Sequence, residues 1–297
     1  MNRIPKVSIG MPVYNGERYV GQALESLLGQ TFADFELVIS DNASSDSTRQ
    51  ICEELARRDT RVRYYYFSEN IGGPLNFSRV FGLCRGNYVK WATADDYWAP
   101  QMLEKCVPIL DHHPDVVLCH PRAQLVNWAG QKLEDYEDSL DLMESSPSQR
   151  FIRLLECVRL CNAHLGVIRA DVMRKTKLMG DELASDIHFL AELALYGKFY
   201  QYPETLFYRR FHTECSSWDR QSSERQSKYY NPSRNQNFGL HTWKKYLRLT
   251  SAVACSEIGA GEKVKALKYL YRQMLWDDRN RMRIELASAV KAYLRSV

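Results

Sequence analysis

Between Val7 and Cys119, short apolar runs alternate with amphipathic stretches of helical length, and this alternation limits the fold more than any other feature of the 297-residue sequence. The runs Val7–Val13, Glu36–Ser40, Arg61–Phe67, Tyr88–Ala92 and Val116–Cys119 read as strands, some apolar throughout as strands covered on both faces must be. Helices are expected over Tyr19–Gln30, from a cap at Asp46 or Ser47 to about Arg58, over Pro74–Cys84 and over Pro100–His112. A βαβα order of this kind calls for an α/β fold, a Rossmann-like, mostly parallel sheet with helices on both faces.

The pattern loosens after residue 120. Strands are expected at Ala123–Asn127, His164–Arg169, Phe199–Tyr202 and Thr205–Phe211, and helices at Ser148–Leu160 and Asp186–Tyr196, the latter ended by Gly197. A polar stretch over 212–236 reads as a loop or linker, and three helical patterns follow at Phe238–Glu257, Glu262–Trp276 and Arg279–Leu294. Residues 224–297 carry 15 Lys and Arg against six Asp and Glu, so a mildly acidic body bears a basic tail. Such a tail suits an anionic surface, or it is simply a solvated helical face. No window approaches the roughly 20 apolar residues of a membrane helix, the N-terminus lacks a secretory pattern, and a cytoplasmic protein is expected. Eight cysteines without a Cys-x-x-Cys pair read as reduced thiols.

In an open parallel sheet, ligands bind beyond the carboxyl ends of the strands. Three polar clusters fall at such exits: "MPVYNGERY", "ISDNASSDST" and "WATADDYW". Neither G-x-G-x-x-G nor G-x-x-x-x-G-K-[ST] occurs, so dinucleotide and P-loop chemistry lose their main support. The neighbouring acids Asp95 and Asp96 repel one another among aromatic residues. A divalent cation between them and a diphosphate would turn that repulsion into binding; the alternative is a solvated turn with an acidic helix cap.

"VSIGMPVYNGERYVGQALESLLGQTFADFELVISDNASSDST" and "ENIGGPLNFSRVFGLCRGNYVKWATADDYWAPQMLEK" resemble the opening of the family 2 glycosyltransferases, inverting enzymes of the GT-A fold that use nucleotide sugars. The resemblance runs over roughly residues 5–215. It implies that Pro12, Tyr14, Asn15 and Glu17 surround the nucleotide, that Asp41 holds the base, and that Asn42 stands where a second Asp is frequent. Asn76 would line the same pocket, Asp95 would face the ribose or donor sugar, and Asp96 would ligate Mn²⁺ or Mg²⁺. A strict Asp-x-Asp is absent, because positions 93 and 94 are Thr and Ala.

"ELASDIHFLAELALYGKFYQYPETLFYRRFH" resembles the segment bearing the general base, which is Asp186 here, and His212 would complete the metal shell or touch the diphosphate. Either Arg209 or Arg210 would face the pocket. The donor implied is a UDP- or dTDP-sugar, and the acceptor a glycan or lipid-linked hydroxyl in bacterial-type surface polysaccharide or glycoconjugate assembly. Domains follow as a catalytic body over 1–215 (nucleotide side to about 120, acceptor side beyond), a linker over 216–236 and a basic helical extension over 237–297. The extension would pack on the body, form a homodimer contact, or dock peripherally on a membrane. No nucleic-acid module is present. Rival readings are a nucleotide-sugar-binding scaffold without turnover and a sugar nucleotidyltransferase.

Overall fold

The structure is a computed structural model that describes residues 3–137, 139–213, 215, 229–230, 232 and 240–296. Strand β1 (Val7–Val13) is buried along its whole length between β2 (Phe35–Asn42) and β4 (Tyr88–Trp91), both parallel to it, and β3 (Val62–Phe67) continues the parallel set beyond β2. These correspond to the first four strands expected from the sequence. Helices α1 (Val20–Leu28), α2 (Thr48–Arg58) and α3 (Gly73–Leu83) make the crossovers.

Beyond β4 the sheet becomes mixed. After β5 (Tyr97–Trp98) and α4 (Met102–His112) come β6 (Val116–Val126), the hairpin strand β7 (Lys132–Tyr136), β8 (Val167–Arg169) and β9 (Lys198–Arg210). The strand order is β3-β2-β1-β4-β8-β6-β9-β5, with β7 on β6. β8 runs antiparallel to β4 and β6, while β6 and β9 run parallel to each other. Two pairs of expected strands are thus single bent strands. The pairing of β6 with β9 shifts register at Pro121 and Arg122, and Pro203 interrupts β9 at the same place. A proline removes one ladder hydrogen bond, which breaks the apolar pattern without ending the strand.

This topology decides where the loops go. Lys90 pairs with Val167 and Tyr88 with Arg169, so β8 enters the sheet where β4 leaves it. The 3-10 turn Asn162–Leu165 before β8 therefore sits on the rim that receives the ends of β1, β2 and β4. Since β6 and β9 point the same way as β4, the residues after Arg210 reach that rim too.

The chain also forms α5 (Pro147–Cys157), α6 (Ala170–Met173) and α7 (Ser185–Tyr196), followed by the C-terminal helices α8 (His241–Cys255), α9 (Ala260–Trp276) and α10 (Arg279–Ser296). Tyr246, Leu249, Val253, Ala266, Leu270 and Met282 belong to the same buried cluster as the sheet, so the basic tail packs on the body. Glu262 of α9 accepts from Ser148 N (3.0 Å) and Ser148 Oγ (2.7 Å), placing its charge on the N-terminus of α5. The expected linker lies outside the described residues except for Tyr229, Tyr230 and Pro232. No disulfide joins the eight cysteines, all of which are described. Among the described residues, no helix is long and apolar enough to cross a membrane.

Candidate active site

The loops after β1 and β2 are laced together. Asn15 N donates to Ser44 Oγ (2.9 Å), Ser45 N to Asn15 Oδ1 (2.8 Å), Gly16 N to Thr48 Oγ1 (2.8 Å) and Ser47 N to Glu17 Oε2 (2.9 Å). Asn15 and Glu17 thus brace one loop against the other, Pro12 is buried in β1, and Tyr14 stands exposed at the rim. Asp41 is fully buried, accepting from Ser44 N (2.8 Å) and Tyr64 Oη (2.7 Å). Asn42 spans to Asn70 Oδ1 (2.8 Å) and Ile71 N (3.1 Å), and Asn76 ties α3 to Ser40 through its Oδ1 (2.6 Å) and Nδ2 (2.8 Å). These side chains sit at the ends of β1 and β2 and the start of α3, with Tyr14, Asn15 and Glu17 exposed and Asp41, Asn42 and Asn76 buried.

The two adjacent acids face different partners. Asp96 is buried; its Oδ1 accepts from Arg210 N (2.7 Å) and its Oδ2 from Thr93 Oγ1 (2.5 Å). Burial, then the charge of Asp95, push the Asp96 carboxyl up to about 7 against the pull of Arg209, Thr93 and the Arg210 amide. Asp95, with 31% of its side chain exposed, lies with Oδ2 3.1 Å from His212 Nε2. His212 rests on the Tyr19 ring at 4.9 Å. An outward carboxylate beside an imidazole offers the O and N donors a divalent cation takes, and added positive charge here would relieve the crowded acids. Arg210 is spent on the scaffold, with Nε on Asp95 O (2.9 Å) and Nη1 on Trp128 O (2.9 Å), while Arg209 Nη1 reaches Leu160 O (2.7 Å).

Asp186 occupies the first turn of α7, half-buried, its Oδ1 bonded to Ile187 N (2.9 Å). Cys161, which falls between the expected helix and strand, and His164, at the start of the expected strand, lie beside it: one ligand atom from each of the three falls within 4.8 Å of the others. Since the 3-10 turn sits on the rim of β4, Asp186 opens onto the rim that also carries Asp95 and His212. Tyr230 was likewise missed. Its Oη accepts from Ala184 N (3.1 Å), just before α7, while its carbonyl would lie 2.4 Å from a Cβ added at Gly72 (φ 92°), just before α3. The phenol is pushed up by burial and by Asp186. Only the aromatic, basic composition of that stretch hinted at a role.

The model of the family described as "Glycosyl transferase family 2" matches residues 8–164. An uncharacterised glycosyltransferase of Haemophilus influenzae is 25% identical over 225 residues, 73% of this chain and 69% of that protein. A chondroitin synthase of Escherichia coli is 36% identical over 108 residues, 36% of this chain and 16% of the relative. The chain spans only 36% of the length of the first curated relatives it matches. Among solved structures, S. aureus TarS 1-349 in complex with UDP-GlcNAc superposes with a TM-score of 0.64 at 19% identity, covering 93% of this chain and 74% of that one. The shared fold is GT-A.

Proposed function

The chain belongs to glycosyl transferase family 2, and from that premise we propose that it moves a sugar, with inversion, from a UDP- or dTDP-sugar to a hydroxyl of a glycan or lipid-linked acceptor. The observation that carries this reading is the single rim shared by the Asp95–His212 pair and Asp186. Ligands of this sheet class bind at that rim. The match to a polysaccharide synthase and the fold shared with a UDP-GlcNAc-binding protein support the substrate class.

In this reading Asp186 accepts the proton of the acceptor hydroxyl as its oxygen bonds to the anomeric carbon and the bond from that carbon to the diphosphate breaks. Asp186 lies in the first turn of α7, where the partial positive charge of the helix start favours a carboxylate. The geometry favours exchanging the two acids' expected roles: Asp95 and His212 would hold Mn²⁺ or Mg²⁺, and Asp96 would pin the loop to Arg210 and Thr93. When bound, the cation supplies positive charge against the departing diphosphate. Arg209, whose charge acts on Asp96, is a candidate for a further charge at the site. The test is nucleoside diphosphate release from a panel of UDP- and dTDP-sugars with Mn²⁺, using hydroxyl acceptors. Asp186→Asn should lower transfer by about 10²–10⁴-fold with nucleotide affinity unchanged. Release of pyrophosphate instead would identify a nucleotidyltransferase, and no release from any donor would favour a binding scaffold.

The basic tail supports a membrane-proximal acceptor. Exposed Ile284, Leu286, Val290 and Leu294 of α10 lie beside Arg283 and Lys291, a combination suited to an anionic bilayer surface. Vesicles containing anionic lipid should sediment the protein at low salt, and failure to do so discards this contact.

A further inference from the structure

Cys161, His164 and Asp186 form a cluster that the proposed reaction uses only through its carboxylate. Cys161 precedes the 3-10 turn in a left-handed conformation (φ 62°), His164 lies within that turn, and Asp186 begins α7. Cys161 and His164 are buried and Asp186 is half-buried, so the cluster opens on the carboxylate's side. His164 Nδ1 lies 2.5 Å from the Cys161 carbonyl, and its ring packs edge-on to Phe77 (5.8 Å) and Trp91 (6.4 Å). A carbonyl that accepts from Nδ1 fixes the orientation and tautomer of the ring, which is how second partners prepare an imidazole for a metal.

We propose that these three side chains form a site for a soft divalent cation, zinc foremost, separate from the Asp95–His212 pair, and that its occupation shuts off transfer. Thiolate, imidazole and carboxylate are zinc's three ligand classes, whereas a thiolate does not suit the harder Mn²⁺ and Mg²⁺. Ligand atoms of a tetrahedral zinc stand roughly 3.5 Å apart. The present limit of 4.8 Å therefore asks for a contraction that the half-buried carboxylate can supply by rotating. Binding displaces the Cys161 thiol proton to solvent, no electron changes hands, and a water completes the shell. The inhibitory consequence rests on Asp186 being the base: a carboxylate ligating zinc cannot accept the acceptor's proton.

Cobalt(II) alone reports the site without any turnover. Chelator-treated protein given one equivalent of Co²⁺ should develop a near-ultraviolet thiolate-to-cobalt band and the visible bands of a tetrahedral ion, removed by Zn²⁺ but not by Mn²⁺. Asp95 and His212 contain no sulfur and cannot produce the thiolate band. Cys161→Ala should abolish it, and Asp186→Asn, which keeps the shape of the helix start, should weaken Co²⁺ affinity by about 10–100-fold. No band in the unmodified protein, or a band that persists in Cys161→Ala, overturns the site. In the transfer assay at saturating Mn²⁺, Zn²⁺ should suppress nucleoside diphosphate release, and Cys161→Ala should keep its activity while needing at least about tenfold more zinc for the same effect. A cobalt band without zinc inhibition overturns the switch. Failure of the functional reading would appear differently, as no transfer before any zinc is added.

Discussion

Lys90 offers a direct measure of how dry the centre of the sheet is. It sits on β4 with no exposed surface, its Nζ 3.2 Å from both Trp91 O and Leu165 O and 3.8 Å from the centre of the Trp98 ring. Burial pushes its ammonium from 10.5 down to about 7, although Cys106 of α4 and Asp96 after β4 both pull the other way. The folded protein therefore releases this proton near pH 7, while the unfolded chain keeps it to about 10.5. Between those values unfolding takes up a proton, so stability rises with pH, and the full difference corresponds to about 5 kcal/mol at 1.36 kcal/mol per tenfold. From pH 7 to pH 9, clear of the unfolded value, the gain is about 2 kcal/mol. Lys90→Met keeps the length of the side chain and removes the proton. Urea denaturation of both proteins at pH 7, 8 and 9 isolates the effect, because groups that do not interact with Lys90 cancel in the difference. The variant's advantage over the unmodified protein should shrink by about 2 kcal/mol across that range. An unchanging difference would mean that Lys90 stays protonated in the fold, and the reasoning from burial would fail.

The division of labour between the two adjacent acids predicts that Asp95→Ala and His212→Ala each weaken Mn²⁺-dependent UDP binding, as calorimetry would show, while leaving the melting temperature nearly unchanged. Asp96→Ala should instead lower the melting temperature, because it leaves the Arg210 amide without its buried acceptor, a loss of about 1–3 kcal/mol. Equal losses of metal-dependent binding without loss of stability in all three would refute that division. At the other end of the molecule, Glu262→Ala should cost roughly 1 kcal/mol, the usual scale of a lost helix cap, since Glu262 serves the start of α5. Lys265, followed by Ser146 and Ser148, holds that carboxylate well below its ordinary range. Its contribution is thus present above the unfolded value and fades as the pH falls below it; thermal melts at pH 7 and pH 4 should show the gap between the two proteins narrowing with acid.

The parallel half of the sheet was legible because β1, β2 and β4 are buried along their whole lengths and each strand is separated from the next by one helix, so pattern and topology coincide. The mixed half was not, because its ordering depends on three residues, Val167–Arg169, too few to show a period, and on prolines that disguise long strands as pairs of short ones. The site divides in the same way. Strand exits announce themselves by polar residues after apolar runs, and so the loops near residues 14, 41, 95 and 186 could be found in the chain. What a side chain does within a loop depends on partners far away in sequence. Asp96 is occupied by an amide 114 positions later, and Cys161 meets Asp186 only because β8 is threaded backwards between β4 and β6. Two neighbouring aspartates look equivalent until that long-range partner is known. With the inner one held by the Arg210 amide, the outer carboxylate lies beside His212, where, on the proposed reading, a cation would lower the energy of both.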